Sequence, residues 1–446
     1  MRKLICLMAF ATLTACSGDS DGVVGPEVGT AACSNDGQKQ FVLDNLYDWY
    51  LWNDLLPANI DIADYDSPEE LVFNVTRNFG PQSASNEPID LFSSVGSAAA
   101  DSQFFGEGKY EGFGFSWRLE NNEMRFTRVF VDSPANTVGN FSRTQTVVSL
   151  DGRSIAEIVA NEGIGTVLDN ATVTFQIREL DGTVQPPVAV TKAIVTIDPI
   201  PQWRIIDVGG GRNVGYLELS TFISTADAEF DEVFAAFRSA GVNEVIMDLR
   251  YNGGGLVSTA ELLGDYLGGS VAQNLIFSST EFNADRAAQY NTIEIFDLLA
   301  NSISLSRLVV IASRRTASAS ELVTNGLIPH VDVAIVGDRT FGKPVGQIGL
   351  EFCEKILRPT SFKLANSLGD GDYFDGLPVD CAATDDLNVA VGADADPNMV
   401  AAMSYLNTGA CPVTSLSGSN FKASAENRSA QPAKPRPPHR ELLDAY

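Results

Sequence analysis

The chain has 446 residues, long enough for about three domains, and its 44% hydrophobic and 20% charged residues are a globular composition. Its formal charge of −27 disfavours nucleic acid and anionic lipid headgroups as partners.

At the N-terminus, Arg2 and Lys3 precede an apolar or small-residue run from Leu4 to Ala15. That run is too short for a membrane span, which needs about 20 residues, and reads as a secretory signal. The stretch "LTAC", Leu13 to Cys16, resembles a bacterial lipobox, which implies that residues 1–15 are a lipoprotein signal peptide and that Cys16 is lipidated. Ser17 and Gly18 follow in place of an inner-membrane retention aspartate, so the resemblance implies the outer membrane, facing the periplasm. The acyl chains are then the only membrane contact. Residues 16–37, rich in Gly, Ser and Asp, read as a tether. Cys33, Cys353, Cys381 and Cys411 remain, which permits two disulfides in an oxidising compartment. Of the three pairings, closeness in sequence favours Cys353 with Cys381.

Residues 38–107 read as a small helical domain: Val42, Leu46, Trp49 and Tyr50 share a helix face, and "SPEELVFNVTRNF" opens a second helix with Ser67 as cap. From Tyr110 the chain turns to short strands rich in β-branched and aromatic residues, separated by Gly, Asn and Asp, so 108–198 is expected to be a partly open β domain with a short helix at "SPANTVG". Strands at "RNVGYLELSTF", "EVIMDL" and "RLVVIAS" then alternate with helices around Phe230 and over 256–267, which predicts a parallel α/β layer within 199–412. "GGGR" at 209–212 reads as a hairpin turn, and "DADPN" as the turn before a helix beginning "PNMVAAMSYL". The Ser-, Asn- and Pro-rich stretch 413–446 is expected to be disordered.

Three motifs could carry chemistry. In "TASASE", Ser318 and Glu321 have capping-box spacing, yet a serine at a helix start also has free N–H groups beside it to hold an oxyanion. A histidine partner is missing: His439 lies in the tail, and His330 is about 18 Å along the helix from Ser318. A lysine can serve as base if burial lowers its pKa from about 10.4 toward 7 to 8. Lys343, between Gly342 and Pro344 with Phe341 beside it, has the apolar, carboxylate-poor surroundings such a lysine needs. "DLRYNGGG" supplies glycines that let backbone N–H groups approach a carbonyl. Sequence spacing does not choose between Ser318 and Ser320. Asp370, Asp372 and Asp375 miss calcium-loop spacing, with Cys381 in the glutamate position, so no metal and no cofactor is expected.

"DLRYNGGG", "TASASE" and "GDRTFGKPVGQ", in this order, resemble the C-terminal processing peptidases, or tail-specific serine proteases. The resemblance implies an α/β, crotonase-like protease core with an inserted PDZ-like β domain and a small N-terminal helical domain. It implies Ser318 as nucleophile, Lys343 as general base and Gln347 as the group orienting the lysine, with an oxyanion hole of the Ala319 N–H and that of Gly254 or Gly255. "YEGFGFSW" resembles a PDZ carboxylate-binding loop, in which Gly112, Phe113, Gly114 and Phe115 bind a substrate's end and the peptide adds as a strand. Two departures stand out: Pro329 occupies the place of an aspartate some members carry, and Pro344 that of a glycine. The implied partners are protein or peptide substrates. The alternatives are a non-catalytic PDZ-bearing binding lipoprotein and an acyl-CoA enzyme on the same core, the latter disfavoured by export.

Overall fold

The computed structural model describes residues 33–412, 437–443 and 445–446. The signal peptide, Cys16, most of the tether and residues 413–436 lie outside the described residues.

The first helix, Asn35–Trp49, starts where Ser34 Oγ accepts the Gly37 N–H at 3.1 Å. The helix Pro68–Phe79 starts likewise, Ser67 Oγ accepting the Glu70 N–H at 3.1 Å with Pro68 in the first turn. Val42, Leu43, Leu46 and Trp49 pack with Leu71, Val72 and Val75, and the same cluster takes in Val95, Leu350, Phe352 and Leu357. The reason is a shared sheet: Ser94–Ser97 pairs antiparallel with Lys355–Arg358, which also pairs with Leu350–Phe352. These helices are therefore seated on a hairpin from the far half of the chain. This seating also corrects the favoured disulfide, because the bonds are Cys33–Cys353 and Cys381–Cys411. Cys353 sits in the hairpin turn under the first helix, whereas Cys381 is on an edge strand near the helix Pro397–Thr408, which Cys411 follows.

Residues 109–196 form the β unit. Phe115–Glu120, Glu123–Val129, Thr146–Leu150, Thr172–Arg178 and Val188–Thr191 make an antiparallel sheet in that order. Lys109–Gly112 and Ala193–Thr196 form a separate pair at its base. Phe113, Phe115, Phe126, Phe141 and Phe175 fill its core. The expected short helix is Pro134–Thr137, and Ser133 caps it.

The main sheet orders Gln202–Asp207, Asn213–Glu218, Glu244–Asp248, Arg307–Ala312, Asp332–Gly337 and Cys381–Ala382. The first pair is antiparallel and joined through Gly209–Gly211; the rest are parallel. Parallel strands covered on both faces read as continuous apolar runs, which is why "EVIMD" and "RLVVIA" lack alternation. Leu217, Val245, Met247, Leu308 and Val310 face the helices Ala226–Ser239, Val257–Ala272 and Ala319–Leu327, while Tyr216, Ile246, Val309 and Ile311 face Pro397–Thr408. A second, four-stranded sheet of Thr292–Ile295, Ile276–Phe282, Thr360–Ala365 and Val345–Gln347 was not anticipated from the sequence, and it positions the segment after Lys343.

An ion cluster joins the β unit to the main sheet. Asp385 accepts from Arg118 at 2.6 Å, Arg143 at 2.5 Å and Arg250 at 3.3 Å, and from Tyr251. Burial would raise its pKa, but Arg143, Arg118 and Arg250 outweigh burial and hold the carboxyl below its usual range. Asp385→Ala leaves mostly buried guanidinium groups short of a partner and is expected to cost about 3 kcal/mol. Because the depressed carboxyl stabilises the fold above its ordinary pKa and stops doing so as pH falls, the Tm gap between native chain and variant should narrow below about pH 4. Thermal unfolding at pH 7 and pH 3 checks this; a gap unchanged with pH would contradict it.

Candidate active site

The strand Arg307–Ala312 ends in a turn that delivers Ser318 to the start of the helix Ala319–Leu327. The turn is tied to the glycine loop that follows Glu244–Asp248. Thr316 Oγ1 donates to Leu249 O at 2.7 Å, Ala317 N to Asn252 O at 3.1 Å and Ser320 Oγ to Asn252 O at 3.0 Å. The sequence left Ser318 and Ser320 unresolved, and the fold separates them. Ser320 is fully buried and committed to a carbonyl, whereas Ser318 is half-buried. Ser318 also has φ +55° and ψ −118°, a conformation that costs a non-glycine residue on the order of 1–3 kcal/mol and recurs at functional sites.

Gly254 presses against this serine. A Cβ at Gly254, where φ is +112°, would lie 2.7 Å from Ser318 Cβ and 3.0 Å from the Ala319 nitrogen. The approach therefore requires glycine. Of the loop amides, Gly254 N–H donates to Asn252 Oδ1 at 2.9 Å, and Gly253 N–H donates to Leu442 O at 2.8 Å. Asn252 and Gly253 carried no separate signal in the sequence beyond belonging to the loop.

Lys343 is 6% exposed. Its Nζ donates to Gln347 Oε1 at 3.0 Å and lies 4.6 Å from the centre of the Phe92 ring, which contacts Phe341 edge-on. Gln347 is held rigidly, its Nε2 donating to Phe92 O and Arg358 O at 2.9 Å each. The structure thus brings Lys343 and Gln347 together in an apolar setting. One part of the expected environment is absent: a carboxylate is present, Glu441 Oε1, 2.8 Å from Nζ. It comes from the segment 437–446, so the expectation of disorder across 413–446 is corrected there. Residues Pro438–Leu442 form a short helix docked on the site; Ala445 pairs antiparallel with Ser116.

Glu321 links the serine turn to the lysine loop. Fully buried, it accepts the Ser318 N–H at 3.0 Å and the Lys343 N–H at 2.8 Å on Oε2, and the Gly342 N–H at 2.7 Å and the Thr340 hydroxyl on Oε1. One oxygen shared by two donors places the backbone nitrogens of Ser318 and Lys343 within about 6 Å of each other. Burial pushes the Glu321 carboxyl above its usual range, against the pull of these donors. The sequence marked Glu321 only as a helix cap; its reach to residues 340–343 depends on a fold-level approach that no local pattern encodes.

The histidines do other work. His330 Nε2 lies 2.9 Å from Ile276 O, and His439 stacks on Tyr110. In the β unit, Phe113 and Phe115 pack into the core, and Gly112 and Gly114 beside them are buried as well. The N–H groups of Gly114 and Phe115 donate to Tyr446 O at 2.6 and 3.2 Å, and Tyr446 N donates to Phe115 O at 2.7 Å.

Residues 213–369 match the model of peptidase family S41, and residues 37–79 match that of the peptidase S41 N-terminal domain. The chain is 26% identical over 241 residues to a carboxyl-terminal-processing protease of Synechocystis sp., covering 53% of each protein. It is 22% identical over 244 residues to the carboxy-terminal processing protease CtpA of Bacillus subtilis, covering 54% of this chain and 49% of that one. The chain spans about half the length of these curated relatives. A crystal structure assigned to the S41 proteases, from Bacteroides fragilis, superposes with a TM-score of 0.67 at 22% identity, covering 82% of this chain and 97% of that one. The photosystem II D1 C-terminal processing protease gives 0.50 at 18% identity, covering 79% and 93%. At these identities the structural likeness is one of fold.

Proposed function

We propose, from the match of residues 213–369 to the model of peptidase family S41 and from the similarity to C-terminal processing proteases, that the protein is a serine endopeptidase with a Ser318–Lys343 dyad. The observation that carries the reading is the single buried carboxylate of Glu321 binding the backbone of both residues, with Gly254 packed against the serine. Lys343 takes the Ser318 hydroxyl proton as Oγ attacks the scissile carbonyl. The lysine then returns the proton to the leaving amine, and water hydrolyses the acyl-enzyme by the same route. Gln347 aims the amine. The Ala319 N–H and that of Gly254 or Gly255 hold the oxyanion.

Residues 108–198 act as a PDZ-like domain that receives protein or peptide ends on the Gly112–Phe115 loop, by adding them as a strand to Phe115–Glu120. Residues 38–107 act as the N-terminal helical domain and 199–412 as the peptidase core. Lipidation at Cys16 holds the protein at the outer membrane, in the periplasm; two disulfides among the described residues suit that oxidising compartment. To test the reading, an unstructured protein with an apolar tail is incubated with the soluble chain, residues 17–446, between pH 6 and 10. Fragments are expected. Tail binding without cleavage at any pH would instead identify a non-catalytic binding lipoprotein.

A further inference from the structure

The segment 437–446 touches the Gly112–Phe115 loop and the strand after it, the glycine loop at Gly253, and Lys343. Its strand residue Ala445 pairs with Ser116, and Tyr446 exchanges main-chain hydrogen bonds with Phe115 while its carbonyl oxygen also accepts from Gly114. Ser116 Oγ donates to Leu443 O at 2.7 Å. Leu442 O occupies the Gly253 amide, and Glu441 holds Lys343. An amine committed to an ion pair donates protons and does not accept them.

The groove fits this occupant closely. A Cβ at Gly253 would meet Leu442 O at 2.7 Å and Leu442 Cα at 2.8 Å, and one at Gly112 would meet the Tyr446 carbonyl carbon at 2.9 Å. Leu442, Leu443 and Ala445 are buried with Phe104, Tyr110, Phe130 and Ile223. Arg440 pairs with Asp169 at 2.7 Å and stacks over the Tyr446 ring. Burial, with Arg440 and Lys192 nearby, holds the His439 imidazole down to about 3, so it docks uncharged on Tyr110.

We infer that residues 437–446 are an internal ligand that fills the peptide groove and shuts the Ser318–Lys343 pair, so that the chain rests closed until this segment is displaced. The closure rests on the peptidase reading, in that it counts Lys343 as the base; the docking does not. A tethered segment faces its site at an effective concentration of about millimolar, enough to exclude a micromolar competitor.

Binding is measured first, on Ser318→Ala chains that cannot consume the probe. A fluorescent peptide of residues 437–446 should bind the full chain carrying Glu441→Lys and Leu443→Asp at least tenfold more tightly than the full chain with its native segment, and the difference should persist on dilution. A chain lacking residues 437–446 serves as a second variant, and thermal unfolding confirms that each is folded. Equal binding to open and native chains would overturn the docking; a difference that vanishes on dilution would place the segment in a second copy and overturn the internal arrangement. Cleavage is measured next, with Ser318 intact. The two open chains should cut an unfolded protein at least tenfold faster than the native chain, and equal rates would overturn the closure. Cleavage by none of them, alongside the expected binding difference, would bring down the peptidase reading and leave the docking standing.

Discussion

Replacing either Ser318 or Lys343 with alanine is expected to lower cleavage of an unfolded protein by about a thousandfold or more, and replacing both should do little further damage. Groups that pass one proton between them act as a unit, so their losses do not add. Neither change should unfold the chain. Ser318 is half-buried, and alanine keeps its Cβ and backbone conformation while losing only the hydroxyl. Lys343→Ala forfeits hydrogen bonds to Gln347 and Glu441 but leaves Gln347 anchored by Phe92 O and Arg358 O. The comparison should be made in the open form, where Glu441 no longer engages Lys343, so that a low native rate does not mask the loss. Ser318→Ala that still cuts at the native rate would refute the serine; a full-rate Lys343→Ala would refute the base.

Glu321→Ala should be the most damaging single change to stability, and it should lower activity as well. Four donors converge on this carboxylate in a fully buried site. Removing it leaves them without an acceptor, at about 1–3 kcal/mol for each group that finds no replacement. The turn carrying Ser318 and the loop carrying Lys343 also lose their common tie, and a displacement of about 1 Å between reacting groups can cost on the order of a hundredfold in rate. Glu321→Gln should be nearly as harmful, because one of its two acceptors becomes an NH2 facing N–H or O–H donors. Denaturant unfolding and cleavage rates check the pair of variants. A glutamine variant with native stability and rate would show that the carboxylate is only a helix cap.

How much of this was legible beforehand follows from the range of each signal. The helix cap at Ser67, the short helix at "SPANTVG", the glycine hairpin at 209–212 and the apolar parallel strands are written in adjacent residues, and they appear where the patterns put them. The partnership of Lys343 with Gln347 was implied by the family resemblance, and the two side chains do meet, with Gln347 on the strand Val345–Gln347 and Lys343 just before it. The disulfides, the second sheet and Glu321's reach to 340–343 depend on segments far apart in sequence meeting in space. Composition misdirected the reading at the C-terminus. "PAKPRPPHR" has the polar, proline-rich character of a disordered chain, yet the following Leu442, Leu443 and Ala445 find a buried seat that already exists in the rest of the fold.

The central claim is that the Ser318 hydroxyl is activated by the Lys343 amine. Its most direct measurement is mass spectrometry of the open chain after reaction with a serine-directed fluorophosphonate. The account predicts one adduct, on the peptide containing Ser318, absent from Ser318→Ala and strongly reduced in Lys343→Ala. An adduct on another residue, or one that forms equally fast without Lys343, would contradict it.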